Sequence, residues 1–538
     1  MVRDLRMNEM PRRKSSLTSQ SAWILFAKVT GFGLNTLFPL LIVRYLTQEN
    51  VGVYRQAFLV ASNAVLVLPL GFSMSAYYFL NREPEKHSAT VFNILIFNFV
   101  MGGLAFLTLF FFPQILGSAF QNQEMTRLAP LIGIVIWLWI FSSFLETVAL
   151  AMQEARLTAF FIVSAQLLKT AMMTGAVLFY ATVDSLIHAT IVLFVIQAFI
   201  LLVYLHRRFP YFWKNFDLSF FRRQMAYALP FGLSVLLYVG QTDIHNYFVS
   251  HGFSAAEFAI YSQGCFQLPL IAMLYESVGS VMIPRMSQLQ HENKKREMLV
   301  MTVGATQKLT FFYFPLFCFL MIVAFDFITT LFTKEYAASV PIFRVNLLAL
   351  PLFSLVVDPI TRAFPEAGRW LLKLRIGICV VLLSVFWIGI GRFDMITMIS
   401  IVVGAILFEK IAAAWISGRM LEVQRADIGL LKTIGKIAIA ATASGVILLG
   451  LYLMGRDVLL QACLDASQKL LSLFDLKKGV DLFGGAMFLG ICSAIYAAIY
   501  LLFANWLGAI EQADKDKAVG AWRRLTRRRA AVGVGGDL

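Results

Sequence analysis

The chain has 538 residues, of which 59% are hydrophobic and only 14% are charged. Soluble domains carry about 25% charged residues, so this composition excludes a soluble protein. Apolar segments long enough to cross a bilayer, which takes about 20 residues, recur along the sequence, whereas a membrane β-barrel would show alternating strands of about ten residues. The composition therefore predicts an all-α integral membrane protein.

The apolar segments begin after a polar, basic stretch at residues 1–20. The first segment is too long for a signal peptide, and no small-residue cleavage site ends it, so it is predicted to be an uncleaved transmembrane helix. We predict about 14 transmembrane helices, at 21–45, 53–80, 88–113, 127–152, 156–181, 183–206, 224–250, 255–284, 298–324, 338–363, 370–390, 393–419, 427–453 and 480–507.

The formal charge of +15 is explained by membrane topology, because the basic residues fall in loops and tails and not in a nucleic-acid-binding pattern. With the N-terminus inside, the inner loops carry most of the Lys and Arg residues, which is the expected direction. The sequence thus predicts a multi-pass protein of the bacterial cytoplasmic (inner) membrane with both termini cytoplasmic. The basic tail after Glu511 would touch anionic lipid.

A weak sequence pattern repeats after 207 residues. Leu46-Thr47 matches Phe253-Ser254, Tyr54 matches Tyr261 and Gln56 matches Gln263. We interpret this as an internal duplication: a six-helix bundle at 1–206, a cytoplasmic linker at 207–223, a second six-helix bundle at 224–420, two additional helices at 421–507 and a basic cytoplasmic tail at 508–538. The two bundles would be related by pseudo-two-fold symmetry.

Leucines alternate with polar residues between the last two helices, at 454–480. This stretch is interpreted either as an amphipathic helix lying on the outer membrane surface or as a loop.

Positive charge inside apolar segments is the feature that points to function. Charged side chains in such segments cost about 2.5–3.5 kcal/mol on insertion scales and typically face a wet cavity or a partner. A cavity lined with cations favours an anionic ligand such as a phosphate or pyrophosphate. The predicted substrate-binding cations are Lys28, Lys169, Lys308, Arg344 and Arg55.

Other interpretations of these cations stay open. Lys28 could snorkel to the inner interface, Lys169 could pair with Glu146 of the neighbouring segment, and Arg55 could be an interfacial anchor. Asp358 and Arg362, four residues apart, are predicted to form a local ion pair.

A second set of polar residues would line the cavity or bind a coupling ion, either Na⁺ or H⁺. Asn35 lies seven residues after Lys28, on the same helical face. Gln241 and Asp243 could equally be interhelical hydrogen-bonding groups. The set is Asn35, Asp243, Gln241, Glu146 and Glu276.

No catalytic or metal-binding pattern is present in the sequence. There is no glycine-rich phosphate loop followed by Lys and Ser/Thr, and the histidines and cysteines show no metal-ligand spacing. We therefore expect a protein that is not an enzyme and that has no metal or other cofactor.

The opening turn (Leu46-Thr47, then Gly52-Val53-Tyr54), the two six-helix halves and the two extra C-terminal helices resemble the polysaccharide-transporter flippases. These belong to the multidrug/oligosaccharidyl-lipid/polysaccharide exporter superfamily. The resemblance implies two bundles around a cationic cavity, which move an undecaprenyl-pyrophosphate-linked oligosaccharide to the outer leaflet by alternating access, driven by an ion gradient or the membrane potential. It also implies work alongside a polysaccharide polymerase or glycosyltransferases.

Three other functions are considered. A cation-coupled multidrug or toxin exporter of the same superfamily would depend on Asp243 or Glu276 instead of the lysines. A membrane polysaccharide polymerase or ligase would carry a large outer loop with catalytic Arg or His, whereas 454–480 contains no His. A membrane scaffold without transport would leave the lysines in apolar segments unexplained.

Overall fold

The regular secondary structure of the chain is helical throughout the described residues. A computed structural model describes residues 30, 31, 33, 34, 38–214, 216–472 and 479–510. The chain forms two compact units, Met1–Ser262 (unit 1) and Gln263–Leu538 (unit 2).

In unit 1, residues 30, 31, 33 and 34 are helical, and a helical stretch follows at 38–45. It continues with α1 (Gln48–Val67), α2 (Ser75–Arg82), α3 (His87–Phe111), α4 (Gln114–Phe120), α5 (Gln123–Ser142), α6 (Phe144–Ala151), α7 (Ala155–Phe179), α8 (Val183–Arg208), α9 (Leu218–Gly252) and most of α10 (Ala255–Gly264).

Unit 2 contains the remaining helices. They are α11 (Pro269–His291), α12 (Lys295–Phe332), α13 (Val340–Leu347), α14 (Asp358–Ala363), α15 (Pro365–Gly389), α16 (Met395–Met420), α17 (Lys432–Ser472) and α18 (Val480–Trp506).

Ten helices in the described residues are long and apolar enough to cross a membrane, and α1 together with Phe72–Arg82, bent by 46°, would make eleven. The all-α membrane fold is therefore confirmed, whereas the number of fourteen spans stays a prediction. Of the other three predicted spans, about half of 21–45 lies outside the described residues. The segments 255–284 and 338–363 are each divided, between α10 and α11 and between α13 and α14.

The bend after α1 is made possible by a close backbone approach. Leu70 and Gly71 both have positive φ (48° and 69°), a conformation that glycine adopts without strain. A Cβ atom on Gly232 of α9 would lie 2.4 Å from the carbonyl carbon of Leu70. The bend therefore fits against α9 because residue 232 has no side chain.

The helix starts at α1 and α10 reproduce the predicted 207-residue repeat. Thr47 caps α1 by accepting a hydrogen bond from the Asn50 backbone N–H (3.3 Å), and Ser254 accepts one from the Glu257 N–H (3.2 Å) at the start of α10. Such caps satisfy backbone donors that have no partner within the helix. The two helix starts are therefore equivalent in local structure.

Two ring pairs separated by the same 207 residues have the same geometry. The Phe38 and Tyr54 rings lie 5.7 Å apart at 64°, and the His245 and Tyr261 rings lie 5.6 Å apart at 66°. Edge-to-face contact is a preferred arrangement of aromatic rings. The sequence repeat thus corresponds to a repeat in side-chain packing.

The border between the compact units differs from the predicted boundary at 207–223. α9 belongs to unit 1 up to its end, and the border follows at Ser262. The reason is that α9 packs against earlier helices: Asn63 Nδ2 of α1 donates to the Tyr247 hydroxyl at 3.2 Å. The boundary of a compact unit therefore need not coincide with the boundary of a sequence repeat.

The stretch after the thirteenth predicted span is a continuation of that span. α17 runs without interruption from Lys432 to Ser472, 41 residues, or about 60 Å at about 1.5 Å per residue, twice the hydrocarbon thickness of about 30 Å. The interpretation of 454–472 as a separate surface helix or a loop is therefore wrong. The described range that contains α17 ends at Ser472.

Hydroxyl groups on α18 attach it to its neighbours. The Tyr496 hydroxyl donates to the Ala441 carbonyl of α17, and the Tyr500 hydroxyl donates to the Phe311 carbonyl of α12, both at 3.0 Å. The two C-terminal helices are therefore part of unit 2.

Candidate functional site

The predicted site residues divide between the units. Lys28 and Asn35 lie outside the described residues. Unit 1 holds five of the others and unit 2 holds three: Arg55 on α1, Glu146 on α6, Lys169 on α7, Gln241 and Asp243 on α9, and then Glu276 on α11, Lys308 on α12 and Arg344 on α13.

Lys169 lies on the packed side of α7. It is four residues before Met173, so the two share a face, and Met173 Sδ accepts a hydrogen bond from Thr190 Oγ1 of α8 at 3.5 Å. One turn earlier, a Cβ on Gly31 would lie 3.3 Å from Gln166 Cγ. The half-buried Lys169 therefore lies on the side of α7 that packs against α8, and Gly31 lies close to the same helix at Gln166.

Asp243 lies in a group of neutral polar side chains on α1 and α9. Asn246 Nδ2 donates to Asp243 Oδ1 at 3.4 Å, and Asn63 interacts with the same carboxylate while donating to Tyr247. Gln241, on the same helix, is buried. The sequence predicted Asp243, but Asn63 and Tyr247 were missed because they lie 184 residues apart and meet only through the packing of α1 against α9.

Arg55 and Glu146 have different surroundings. Arg55 is half-buried between the buried residues Tyr54 and Gln56 on α1, and Gln56 Oε1 accepts a hydrogen bond from Asn122 Nδ2 at 3.1 Å. Glu146 is exposed on α6. Both lie in unit 1, and neither belongs to the Asp243 group as described above.

Lys308 lies on the outer face of α12 with respect to unit 2. The two preceding residues face other segments of unit 2: Thr306 Oγ1 accepts from the Val356 N–H at 3.4 Å, and Gln307 Nε2 donates to the Leu430 carbonyl at 2.9 Å. The Lys308 side chain is exposed, as are Arg344 and Glu276. These three charges therefore reach the surface of unit 2.

A buried ion pair in unit 2 was missed by the sequence analysis. Arg456 of α17 donates from Nε (3.1 Å) and from a terminal nitrogen (2.6 Å) to the two oxygens of Asp326 on α12. The Tyr452 hydroxyl donates to Asp326 Oδ2 at 2.5 Å. The Asp326 side chain is 4% exposed, so this bidentate pair joins α12 to α17 within the protein interior.

A second missed group lies between α11, α14, α15 and α16. Arg375 Nε donates to the buried Glu409 at 2.9 Å. The next residue, Lys410, holds its ammonium over the Tyr275 ring (5.4 Å) and the Phe353 ring (5.7 Å).

Asp358 belongs to the same region. The Tyr275 hydroxyl donates to Asp358 Oδ2 at 2.7 Å. Among the described residues, Asp358 and Arg362 form no ion pair. The predicted local pair is therefore wrong, because the carboxylate turns toward α11 instead of the next turn of its own helix.

Within the described part of the chain, no group of three or more His, Cys, Asp or Glu side chains has a geometry that could hold a metal ion. The clustered polar chemistry of both units consists instead of amides, hydroxyls, aromatic rings and charge pairs.

Comparison with known structures shows which fold this is. A lipid II flippase, MurJ, in an inward closed conformation aligns with a TM-score of 0.65 and 14% identity, over 90% of this chain and 98% of that chain. A MATE family multidrug resistance transporter of the MOP superfamily, inward-facing, aligns with a TM-score of 0.57 and 15% identity, over 74% and 95%.

A MOP superfamily transporter from Pyrococcus furiosus aligns with a TM-score of 0.51 and 15% identity, over 76% and 96%. At these identities the likeness establishes the fold alone. Comparison with curated protein sequences gives no significant match.

Sequence comparison identifies the family. The family model described as "polysaccharide biosynthesis protein" matches residues 41–341, which is more than half of the chain. This range includes the repeated helix starts at α1 and α10. The chain is therefore a member of the polysaccharide biosynthesis protein family, and its fold is similar to those of the MurJ flippase and the MATE transporter.

Proposed function

We propose that the protein is a flippase that moves an undecaprenyl-pyrophosphate-linked oligosaccharide from the cytoplasmic to the outer leaflet of the bacterial inner membrane by alternating access. The family and the fold support this proposal. A pyrophosphate and its sugars cannot cross about 30 Å of hydrocarbon unaided, because their polar groups would lose their hydrogen bonds. A hydrated cationic passage would replace those bonds while the lipid tail stays in the bilayer.

The observation that carries the proposal is the position of Lys169 deep within α7. It lies 14 residues after Ala155 in a 25-residue membrane-length helix, which is about 21 Å along the axis at about 1.5 Å per residue. An ammonium at that depth requires polar surroundings. Its position on the packed side of α7 supports the proposal that it binds an anionic headgroup.

We also propose the other predicted cations, Lys28, Lys308, Arg344 and Arg55, as substrate-binding residues. Lys308 and Arg344 are exposed in unit 2, and Arg55 lies beside the buried Gln56 in unit 1. The glycosyltransferases or polymerase of the same glycan would be its partners, both termini would be cytoplasmic, and the protein itself would carry out no covalent step.

Coupling to an ion gradient is assigned to the Asp243 group. One carboxylate with amide and hydroxyl neighbours on α1 and α9 could bind Na⁺, which prefers oxygen ligands, or a proton. Glu146 and Glu276 are exposed and are the secondary candidates for this role.

Flipping by reconstituted protein tests the proposal. Full-length protein in proteoliposomes is given a fluorescent undecaprenyl-pyrophosphate-linked oligosaccharide, and the labelled headgroup that changes leaflet is measured. We expect Lys169→Ala and Lys308→Ala each to slow flipping by about ten-fold to a hundred-fold, since a hydrogen bond to a charged group contributes about 1.5–3 kcal/mol.

Lys334→Ala is the matched control, because Lys334 is an exposed lysine outside the membrane-length helices. Its flipping rate should equal that of the unaltered protein, and all variants should elute as the same folded species. Flipping at the normal rate by both Lys169→Ala and Lys308→Ala would remove the cationic passage.

The Asp243 group also supports a second function, cation-coupled drug export. In the same vesicles, that function predicts uptake of a cationic dye that stops in Asp243→Asn and persists in Lys169→Ala. The flippase proposal predicts that no dye moves.

A further inference from the structure

Two adjacent residues of α16, Glu409 and Lys410, have opposite environments in unit 2. Glu409 is 7% exposed and is paired with Arg375 at 2.9 Å. Lys410 is half-buried, and its ammonium forms no ion pair with any described residue. The positive charge of Arg375 is therefore neutralised within the protein, and that of Lys410 is not.

Lys410 lies well inside the membrane-length helix α16, ten residues before its end at Met420. The large exposed apolar residues Phe408, Ile411 and Trp415 mark one face of this helix. At about 100° per residue, Lys410 is turned roughly 100° to 160° away from each of them. Its side chain therefore points between α16, α11 and the turn at Leu350–Ser354, away from the exposed apolar face.

The rings of Tyr275 and Phe353 hold the ammonium without neutralising it. Their centroids lie 5.4 Å and 5.7 Å from Nζ, within the range of a cation–π contact. The Tyr275 ring is fixed in turn, because its hydroxyl donates to Asp358 at 2.7 Å. Asp358 is thus bound by Tyr275 and remains outside ion-pair distance of Lys410.

Cation–π attraction is weaker than the cost of placing a lysine in a membrane-length helix. Because the cation–π contacts do not offset this cost, the ammonium requires a further anion or water. Every carboxylate that the structure places in the group, Glu409 and Asp358, already has another partner.

We propose that Lys410 binds phosphate oxygens of an anionic headgroup inside unit 2, with Tyr275 and Phe353 as the aromatic walls of the site. This inference rests on the proposed function, because it names a second position at which the pyrophosphate of a lipid-linked glycan is held. The flat rings also suit the apolar faces of a sugar or of the first prenyl group next to the pyrophosphate.

Binding of farnesyl pyrophosphate to the purified full-length protein tests the site. The prenyl pyrophosphate is short enough to be handled in detergent, and its dissociation constant is measured by a titration that reports binding directly. We expect Lys410→Gln to weaken binding about ten-fold or more and Lys410→Arg to weaken it less than three-fold. Phe353→Leu, which removes one ring and leaves the charge, should weaken binding by about two- to five-fold.

Lys373→Gln is the matched control, because it removes the same charge from an exposed lysine of unit 2 and should leave binding unchanged. Inorganic pyrophosphate forms a parallel arm. Equal binding of inorganic pyrophosphate assigns the site to the free anion, and much weaker binding assigns it to the lipid headgroup.

Two results would overturn the Lys410 site, and only the second would also overturn the proposed substrate. If the unaltered protein binds farnesyl pyrophosphate and neither Lys410→Gln nor Phe353→Leu changes the affinity, Lys410 is not a binding residue, and the proposed function is unaffected. If the unaltered protein binds no prenyl pyrophosphate, the proposed substrate fails together with the site.

Discussion

The two units bury different kinds of polar side chain. Among the described residues, the buried polar groups of unit 1 are neutral amides, hydroxyls and one imidazole, whereas unit 2 also buries three carboxylates. Each of these three buried carboxylates is bound to an arginine: Asp326 to Arg456, Glu409 to Arg375 and Asp427 to Arg296.

This contrast indicates which interactions hold each unit together in a membrane. Interhelical hydrogen bonds between neutral groups in a bilayer contribute on average about 0.6 kcal/mol. Breaking a buried ion pair by removing one partner costs about 3–5 kcal/mol, because the other charge is left behind. Unit 2 should therefore respond to single polar substitutions far more strongly than unit 1.

The largest effect is expected for Arg456→Met, which leaves Asp326 buried without its arginine. We expect the free energy of unfolding to fall by about 3–5 kcal/mol, measured by unfolding of the purified protein in a detergent titration. Adding Asp326→Asn to Arg456→Met should recover part of the loss, because the remaining amide is neutral and its oxygen can still accept from Tyr452.

Asp457→Asn provides the control on the same arginine. Asp457 also accepts a hydrogen bond from Arg456 (2.8 Å), but its side chain is 90% exposed, and exposed pairs contribute little. Equal losses for Asp457→Asn and Arg456→Met would contradict the importance of burial, and a fully stable Arg456→Met would contradict the buried pair itself.

The smallest effect is expected in unit 1, at the amide pair between α3 and α9. Asn93 Nδ2 donates to Gln224 Oε1 at 2.8 Å, and both residues are fully buried. Removing either partner by Asn93→Ala or Gln224→Ala should lose about 1 kcal/mol of unfolding free energy, and the pair should show a coupling energy of about 0.6 kcal/mol in a double-mutant cycle.

The same detergent titration measures this cycle. A coupling energy above that of Arg456 and Asp326 would reverse the contrast between the units.

The repeated helix starts could be predicted from the sequence, because the matching residues form short local patterns. The match of Tyr54 with Tyr261 led to two helix starts with equivalent caps and two ring pairs with nearly equal geometry. Helix type and most membrane-length segments followed from apolar length alone. The conformation at Leu70–Gly71 did not, because it depends on the approach of Gly232 from a distant helix.

The pair between Asp326 and Arg456 could not be predicted, because apolar length alone ends the predicted segments before these charged residues. The ninth predicted segment ends at 324, just before Asp326, and Arg456 lies in the stretch 454–480 between the last two predicted helices. In the structure, α12 continues to Phe332 and α17 to Ser472, so both charges lie inside helices that pack together. The contacts of Lys410 could not be predicted either, because its aromatic partners lie 57 and 135 residues away in the sequence.

The site residues chosen by depth and charge, Lys169 and Lys308 among them, remain predictions about function. Their positions show that the direction of each side chain decides what it can contact. Lys169 lies on a packed face, whereas Lys308, Arg344 and Glu276 are exposed. A sequence gives depth along a helix but not the direction in which a long side chain points.

The most direct test of the central claim compares two lipids that differ only in the charge of the linkage. Proteoliposomes with the unaltered protein receive the same fluorescent oligosaccharide linked to undecaprenol either through pyrophosphate or through a neutral bond, and the transfer of each between leaflets is measured. A cationic passage predicts rapid transfer of the pyrophosphate lipid and transfer of the neutral lipid no faster than in protein-free vesicles. Equal rates for the two lipids, or no transfer of either, would contradict the account.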